Sequence, residues 1–209
     1  MSFAEWEFFT ADPSQQAYVD LVSPIVGTGS LRLVGSDAGP GAVHGRWAQP
    51  ANRGFRQGRC TSLVQPLAGL AGQDMYGVLG AASQANLTGT TGTAYAALLV
   101  VGATPETWEV RLVKVTAGFG SPLTVLQTAT LAMDIGQIRA VQLQWLSDPQ
   151  IGTALSVQVG VALDYSDLTQ VLLAQEPGVF LSSSQGEGPI AFLTASGDCR
   201  FDMTQTEEI

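Results

Sequence analysis

The sequence has few charged residues, and positive charge is especially scarce. Of its 209 residues 13% are charged, with 9 basic against 18 acidic side chains, and Lys114 is the single lysine. The formal net charge at pH 7 is −9. A nucleic-acid partner requires a basic surface that neutralises its phosphates, so the composition argues against nucleic acid as a ligand.

Histidine and cysteine are nearly absent. His44 is the one histidine, and Cys60 and Cys199 are the two cysteines. This set is too small for a structural zinc site, and no metal ligands are predicted from it. A Ser-His-Asp triad would depend on His44, but no G-x-S-x-G elbow precedes a helix. We expect both thiols to be buried and free, with a disulfide between them as the alternative.

The sequence also lacks a long apolar run. Its first nine residues do not combine a basic region with an apolar segment, so no secretory signal is predicted, and no stretch is long enough to span a bilayer. We therefore expect synthesis in a host cytoplasm without export through a signal peptide, and no membrane insertion. The low charge and a mean hydropathy of +0.20 predict a surface that partners or further copies of the chain cover.

What the sequence has in quantity is period-two alternation. Val141, Leu143 and Trp145 alternate with polar or small residues, and Trp108, Val110 and Leu112 share one face of another segment. The clearest run contains Leu155, Val157, Val159, Val161 and Leu163, which alternate with Ser156, Gln158, Gly160, Ala162 and Asp164. Such alternation places one set of side chains in a core and the other toward water. Turn signals recur between these runs, so we predict one all-β domain of antiparallel strands over residues 1–209.

Two segments differ from this pattern. Residues 1–10 are rich in aromatics and predict an opening strand or a short anchoring segment, and residues 35–54 are rich in glycine and proline and predict a long loop. Four arginines lie in or beside that loop, where a solvated loop is the simplest interpretation and docking on an acidic neighbour is the alternative. The candidate partner-docking residues are therefore Phe3, Trp6, Phe8, Phe9, Arg46, Arg53, Arg56 and Arg59.

The order of these runs resembles the concanavalin A-like lectin and glucanase family, close to its laminin G-like branch. The resemblance rests on the segments "WEVRLVKV", "LTVLQTATLA", "VQLQWLSDP", "ALSVQVGVALD", "GPIAFLT" and "CRFDM" and covers about Phe3 to Thr204. It implies a two-sheet antiparallel jelly-roll sandwich. It further implies carbohydrate binding, for which Trp47 is the candidate sugar-stacking residue, with core or edge packing as the commoner role of tryptophan.

The same resemblance raises two chemical questions. Some laminin G-like modules bind calcium, and Asp164, Asp167 and the 182–188 loop would supply oxygen ligands here, although solvated turn carboxylates are the simpler interpretation. Glucanases of the family use paired glutamates, since glycoside hydrolysis needs two carboxyls across the scissile bond. No E-x-D-x-x-E pattern is present, and Glu5 and Glu7 are best interpreted as a solvated edge. No catalytic residue is predicted, and the protein is expected not to be an enzyme.

Three functions are compatible with these observations. The first is a non-catalytic structural or attachment protein of a bacteriophage particle, either a capsid decoration or a tail component, since a lectin-like fold without an export signal suits a virion protein. Its partners would be other virion proteins and cell-surface glycans. The second is a soluble carbohydrate-binding lectin module, and the third is an atypical glycoside hydrolase.

Overall fold

The apolar runs form antiparallel strands that are arranged in two stacked sheets. The computed structural model describes residues 6–10, 16–35, 41–47, 56–82, 93–116, 123–179 and 187–209, with the backbone but not the side chains of 6–10 and 41–47. In this part of the chain the strands are β1 (Trp6–Thr10), β2 (Gln16–Asp20), β3 (Ser30–Val34), β4 (Gly41–Trp47), β5 (Gln57–Ala68), β6 (Met75–Gly80), β7 (Thr93–Val100), β8 (Trp108–Thr116), β9 (Thr124–Leu131), β10 (Arg139–Asp148), β11 (Gly152–Gly160), β12 (Thr169–Glu176), β13 (Gly188–Leu193) and β14 (Asp198–Glu208).

Each sheet has seven strands. Sheet 1 has the order β1-β4-β13-β6-β7-β8-β9, and sheet 2 has the order β12-β11-β10-β5-β14-β3-β2. Over the described ranges there is no α-helix, only a 3-10 turn at Pro105–Thr107, and no helix there is long and apolar enough to cross a membrane. The predicted all-β, two-sheet antiparallel sandwich is confirmed.

The core lies between the sheets and contains the side chains that alternation predicted. Trp145 is 1% exposed, and Val141 and Leu143 on the same strand are fully buried. Trp108 and Leu112 are buried against them from sheet 1. The inward-facing residues thus remove two tryptophans and many aliphatic side chains from water, and this burial stabilises the stacking of the sheets.

The prediction that the clearest alternating run faces the core along its whole length is wrong for its last two apolar residues. Val161 and Leu163 are 61% and 44% exposed, because β11 ends at Gly160. The Asp167 carboxylate accepts hydrogen bonds from the backbone N–H groups of Val161 and Ala162, at 2.9 Å each for the shortest contacts. These bonds turn the chain out of the sheet, so the last two apolar residues never reach the core.

The prediction of a long loop over residues 35–54 is also wrong in its middle. Gly41–Trp47 forms β4, which pairs with β1 on one side and β13 on the other. Two neighbouring strands supply the hydrogen bonds that offset the weak strand preference of its glycines. The expectation of an opening strand within residues 1–10 is confirmed, since Trp6–Thr10 is β1 at the edge of sheet 1.

The outer faces of the two sheets differ in character. Sheet 1 carries a second buried apolar cluster on the face that points away from the core, which includes Leu79, Ala94, Ala96, Leu98, Val113, Val115, Ile190 and Phe192. Its central strands are therefore buried on both faces and read as nearly continuous apolar runs. Polar side chains in regular rows occur instead on the outer face of sheet 2.

Trp145 is held between two glycines. Gly58 is its cross-strand partner on β5, and Gly80 approaches its ring from sheet 1. A Cβ atom on Gly80 would lie 2.5 Å from Cζ3 of Trp145, and one on Gly58 would lie 2.7 Å from Cζ2. Both positions require glycine because the indole ring occupies the space that a side chain would need.

Replacing Gly80 with alanine should therefore test this contact. We expect Gly80→Ala to lower the free energy of unfolding by about 1–3 kcal/mol, because the core is overpacked at the indole ring. In a Trp145→Phe background the same change should cost clearly less, since the smaller ring vacates the space. Urea denaturation of the four proteins measures both costs. Equal costs in the two backgrounds would show that the indole is not the obstacle.

The two cysteines are free and buried, as expected from the sequence. They lie on adjacent strands, but Cys60 pairs with Thr206 whereas Cys199 pairs with Pro66. Six positions along β5 separate the two registers, which is about 20 Å at the rise of a strand. A disulfide requires Cα atoms within about 7 Å, so the register rules one out in this fold.

Alkylation of the cysteines should depend on unfolding. Burial raises the pKa of both thiols well above the usual value, which removes the reactive thiolate as well as access to it. We expect mass spectrometry to find almost no adduct on the native protein and two adducts after denaturation without reductant. A denatured protein that accepts label only after reduction would contradict the assigned register.

Candidate functional site

The outer face of sheet 2 presents two cross-strand rows of mostly polar side chains. The first row, from β12 to β14, contains Gln170, Gln158, Gln142, Thr61 and Gln205. The second contains Leu173, Ser156, Gln144, Arg59 and Glu207. Together these ten residues form what we call the polar face. Each row crosses five strands and spans about 19 Å, and the rows lie about 7 Å apart along the strands.

Alternation on the central strands determines which residues reach this face. Val141, Leu143 and Trp145 point into the core, so Gln142 and Gln144 between them point outward. On β11, Ser156 and Gln158 do the same between buried Leu155, Val157 and Val159. The amides are thus placed in register by the burial of their apolar neighbours.

A β-bulge in β14 brings Gln205 and Glu207 to the polar face. Asp202 pairs with Leu63 but Gln205 pairs with Thr61, so β14 has one extra residue between these two positions. Met203, in this bulge, has φ +47°. The bulge reverses the phase of the strand: Gln205 and Glu207 face outward, and Thr204 turns inward to bond the Ser62 hydroxyl at 2.9 Å.

Tyr165 borders the first row. It lies in the turn after β11, and its hydroxyl donates a hydrogen bond to the carbonyl oxygen of Met203 on β14. Tyr165 itself has φ +64°, so two non-glycine residues in the left-handed region meet in one contact. Such backbone conformations are uncommon for bulky residues and concentrate at functional sites. Leu63 and Ala140, which lie on the outer face beside the first row, are fully buried.

The raised pKa of the Tyr165 phenol and the hydrogen bond of its hydroxyl limit what this side chain can do. Burial, and then the neighbouring Cys60 and Asp202, raises the pKa of its phenol, so the group stays protonated at neutral pH. Its hydroxyl proton is already donated to Met203. The residue therefore offers a rigid ring and not a proton acceptor for catalysis.

Hydrogen bonds on the polar face hold its centre in place. The Gln142 side chain donates to the Thr61 hydroxyl at 2.8 Å, and both residues are buried. Arg59 donates from Nε and Nη2 to the same Oε2 atom of Glu207, at 3.0 and 2.5 Å. Gln144, Gln158 and Ser156 are half-buried at the middle of the sheet. The face can therefore donate and accept hydrogen bonds through amides and hydroxyls, with one closed ion pair at its β14 side.

Nearby carboxylates are committed to structural bonds. Asp202 accepts from the Ser30 hydroxyl and the Val26 N–H through Oδ2, at 2.8 and 2.9 Å, and from the Met203 N–H through Oδ1. Among the ten residues of the polar face, Glu207 is the one carboxylate. The described structure therefore brings no pair of carboxyls together on this face.

Asp164 and Asp167 are two of the candidate calcium ligands. Asp164 accepts from the backbone N–H and the hydroxyl of Ser166, and these bonds lower its pKa. Asp167 accepts from Val161 and Ala162, and these bonds lower its pKa likewise. Most of the 182–188 loop lies outside the described residues. Within the described ranges no three His, Cys, Asp or Glu side chains are grouped so that they could hold a metal ion.

Among the four predicted docking arginines, the structure describes the side chains of Arg56 and Arg59, and docking through the four stays a prediction. Arg59 lies on the polar face and is paired with Glu207 of the same chain. Arg56 precedes β5 at the surface, and its carbonyl oxygen accepts the Ser147 N–H at 2.8 Å. Arg46 lies on β4 in sheet 1, and Arg53 lies outside the described residues.

The predicted aromatic residues lie at the edge of sheet 1. Trp6, Phe8 and Phe9 are on β1, and the register places Trp6 opposite Trp47 on β4. Their side chains, and the whole of Phe3, are outside the described part of the structure. Docking through these aromatics and sugar stacking on Trp47 stay predictions.

Sequence reasoning missed most of the polar face as a site. Alternation already places Gln142, Gln144 and Gln158 toward water, and a search for matched amides on neighbouring strands would have found them. Tyr165, Gln205 and Glu207 had no such signal, since a bulge and a left-handed tyrosine depend on contacts distant in sequence.

Comparison with known proteins identifies the fold. The sequence matches no protein-family model and no curated protein. Among solved structures it is similar to an endo-β-1,4-glucuronan lyase from the fungus Trichoderma reesei, with a TM-score of 0.61 and 11% identity over 97% of this chain and 90% of that one. It is also similar to the metal-free carbohydrate recognition domain of Emp46p, with a TM-score of 0.54 and 11% identity over 98% of this chain and 87% of that one.

A third similar structure is a xylan β-1,4-xylosidase from Bacillus Halodurans C-125, with a TM-score of 0.57 and 11% identity. The match covers 95% of this chain but only 35% of the xylosidase. Identities this low establish the fold and nothing finer. The chain has the concanavalin A-like lectin and glucanase fold that its strand order predicted, and the closer likeness to the laminin G-like branch stays a prediction.

Removing the Tyr165 hydroxyl should test how the border of the polar face is held. We expect Tyr165→Phe to lower the free energy of unfolding by about 1 kcal/mol, because the Met203 carbonyl loses its donor. Tyr18→Phe is the matched control, since Tyr18 is 41% exposed on β2 and should change stability by less than about 0.5 kcal/mol. Chemical denaturation measures both. Equal effects of the two substitutions would contradict the assigned contact.

Proposed function

We propose that this chain is a non-catalytic carbohydrate-binding protein whose polar face binds a glycan. The observation that carries the proposal is the pair of cross-strand rows, in which amides and hydroxyls from five adjacent strands are held in register. Outside the buried Gln142–Thr61 pair, each amide of the face offers two donors and an acceptor, and each sugar hydroxyl offers one donor and two acceptor lone pairs. A rigid array of such amides is suited to a ligand that presents hydroxyls at regular intervals.

The border of the face supports the same function. Tyr165 is fixed by its bond to Met203, so its ring position requires little ordering when a ligand binds. Exposed Leu173 at the β12 end of the second row, and exposed Leu146 on β10 two residues beyond Gln144, add apolar surface beside the amides. A mixed surface of this kind can contact both the hydroxyls and the C–H faces of a sugar ring.

Two observations support binding without catalysis. Hydrolysis of a glycosidic bond needs two carboxyls, and among the polar-face residues Glu207 stands alone and is paired with Arg59. Elimination chemistry needs a general base, and the Tyr165 phenol has a raised pKa and donates its proton to Met203. The ten residues of the polar face therefore offer no pair of groups suited to hydrolysis, and the bordering Tyr165 offers no base for elimination.

The fold likeness adds support of a general kind. The Emp46p domain is named as a carbohydrate recognition domain, and it shares this fold over most of its length. The bacteriophage role, the virion location and the virion partners have no supporting observation in the described structure and stay predictions, as does assembly into oligomers.

A double substitution on the polar face should test the proposal. We expect Gln144→Ala combined with Gln158→Ala to weaken glycan binding by about tenfold or more, because two neutral hydrogen-bonding groups together contribute roughly 1–3 kcal/mol. A glycan array followed by calorimetry on the best ligand measures the loss. Incubation of that ligand with the native protein should release no new chain ends.

The matched control is Gln73→Ala, which removes an exposed glutamine in the β5–β6 turn. It should leave affinity unchanged. Absence of saturable glycan binding by the native protein would overturn the proposed function, and equal losses in the double variant and the control would remove the polar face as its site.

A further inference from the structure

Three arginines on the outer face of sheet 2 are paired with carboxylates of the chain. Arg59 and Glu207 are 42% and 45% exposed, and both hydrogen bonds between them run to one carboxylate oxygen. The guanidinium is thereby neutralised at the end of the second row, where a ligand crossing all five strands would pass over it. A negatively charged ligand group would have to compete with Glu207 for Arg59.

Arginines and carboxylates are paired in the same way on β14, β3 and β2. Arg200 bonds Asp20 at 2.8 Å, and Arg32 bonds Asp198 through two nitrogens at 2.9 and 2.5 Å. Arg32 also lies 5.8 Å from the centre of the Tyr18 ring. These arginines are partly buried and fully matched by carboxylates on the protein, so they present no unbalanced positive charge to an anion.

The remaining groups of the polar face are uncharged. They are the amides and hydroxyls of the two rows, together with Leu173. The whole chain carries a formal charge of −9, which repels a polyanion at distances up to about the Debye length. A glycan that carries a carboxylate on every unit would lose hydration at each one and gain no cation in return.

We infer that the ligand of the polar face is a neutral polysaccharide chain that lies along the rows, and that the Arg59–Glu207 pair excludes uronate polymers. This inference rests on the proposed function and names the class of glycan. Glu207 is the selectivity element: by occupying Arg59 it removes the cation that would otherwise hold a ligand carboxylate. The glucuronan lyase that shares the fold is thus expected to differ from this chain in ligand charge.

The test compares two ligands that differ at C6, where a hydroxymethyl group in one is a carboxylate in the other. Oligosaccharides of β-1,4-linked glucose and of β-1,4-linked glucuronic acid have the same linkage and can be matched in length, and a glycan array with neutral and uronate chains widens the comparison. We expect the native protein to bind neutral chains at least about tenfold more tightly than uronate chains at physiological salt. Lower salt should widen the difference.

A matched pair of variants isolates the ion pair. Glu207→Gln and Glu208→Gln change the net charge equally, but only the first releases Arg59, since Glu208 pairs in register with Gly58. We expect Glu207→Gln to improve affinity for the uronate chain about fivefold, the effect of one unscreened surface charge, and Glu208→Gln to have little effect. Both variants should remain folded, because exposed ion pairs contribute little to stability.

The outcomes separate the two claims. Binding of uronate chains by the native protein as tightly as neutral ones would overturn the inference while leaving a carbohydrate-binding function in place. Equal behaviour of the Glu207 and Glu208 variants, whether both gain or neither does, would overturn the role of the ion pair. If no glycan of either class binds, the proposed function fails and the inference fails with it.

Discussion

The burial of Trp145 between Gly58 and Gly80 is the contact on which the rest of the arrangement depends. It limits how closely the two sheets approach where β5 begins and β6 ends, since the three atoms nearest to a Cβ on Gly80 all belong to the indole. It also fixes the phase of β10. Because successive residues of a strand face opposite ways, an inward Trp145 obliges Gln144 and Gln142 to face outward. The core and the candidate site are therefore two consequences of one register.

The difference between the outer faces follows from how each sheet is covered. Sheet 1 is apolar on both sides and has no polar surface over its central described strands. Sheet 2 is apolar on its inner side only, so its outer side can carry amides in register without losing core packing. Under the proposed function, one sheet face provides stability and the other contacts a glycan.

The proposed role of the polar face is recognition and not chemistry. Its one carboxylate and its one guanidinium neutralise each other, and the phenol at its border is half-buried and hydrogen-bonded. Catalysis on a glycan requires groups that change protonation state during the reaction, and each ionisable group here is already committed to a partner. The same commitments make the surface rigid, which favours binding because little conformational entropy is lost.

The amino-acid sequence by itself determined the β class, the antiparallel sandwich and the inward position of Trp108, Val141 and Trp145. These follow from period-two alternation, which is a local property that any strand with one buried face must satisfy. The burial of both cysteines was likewise expected, since a free cysteine behaves as a small apolar residue.

Only the tertiary structure decided where that local rule stops. The end of β11 at Gly160 depends on the Asp167 carboxylate, and the pairing of β4 on both sides overrides its glycines. The bulge at Met203 reverses the phase of β14 and brings Glu207 to Arg59. Each of these features is stabilised by a contact between distant segments, and a pattern read along one strand contains no information about its neighbour.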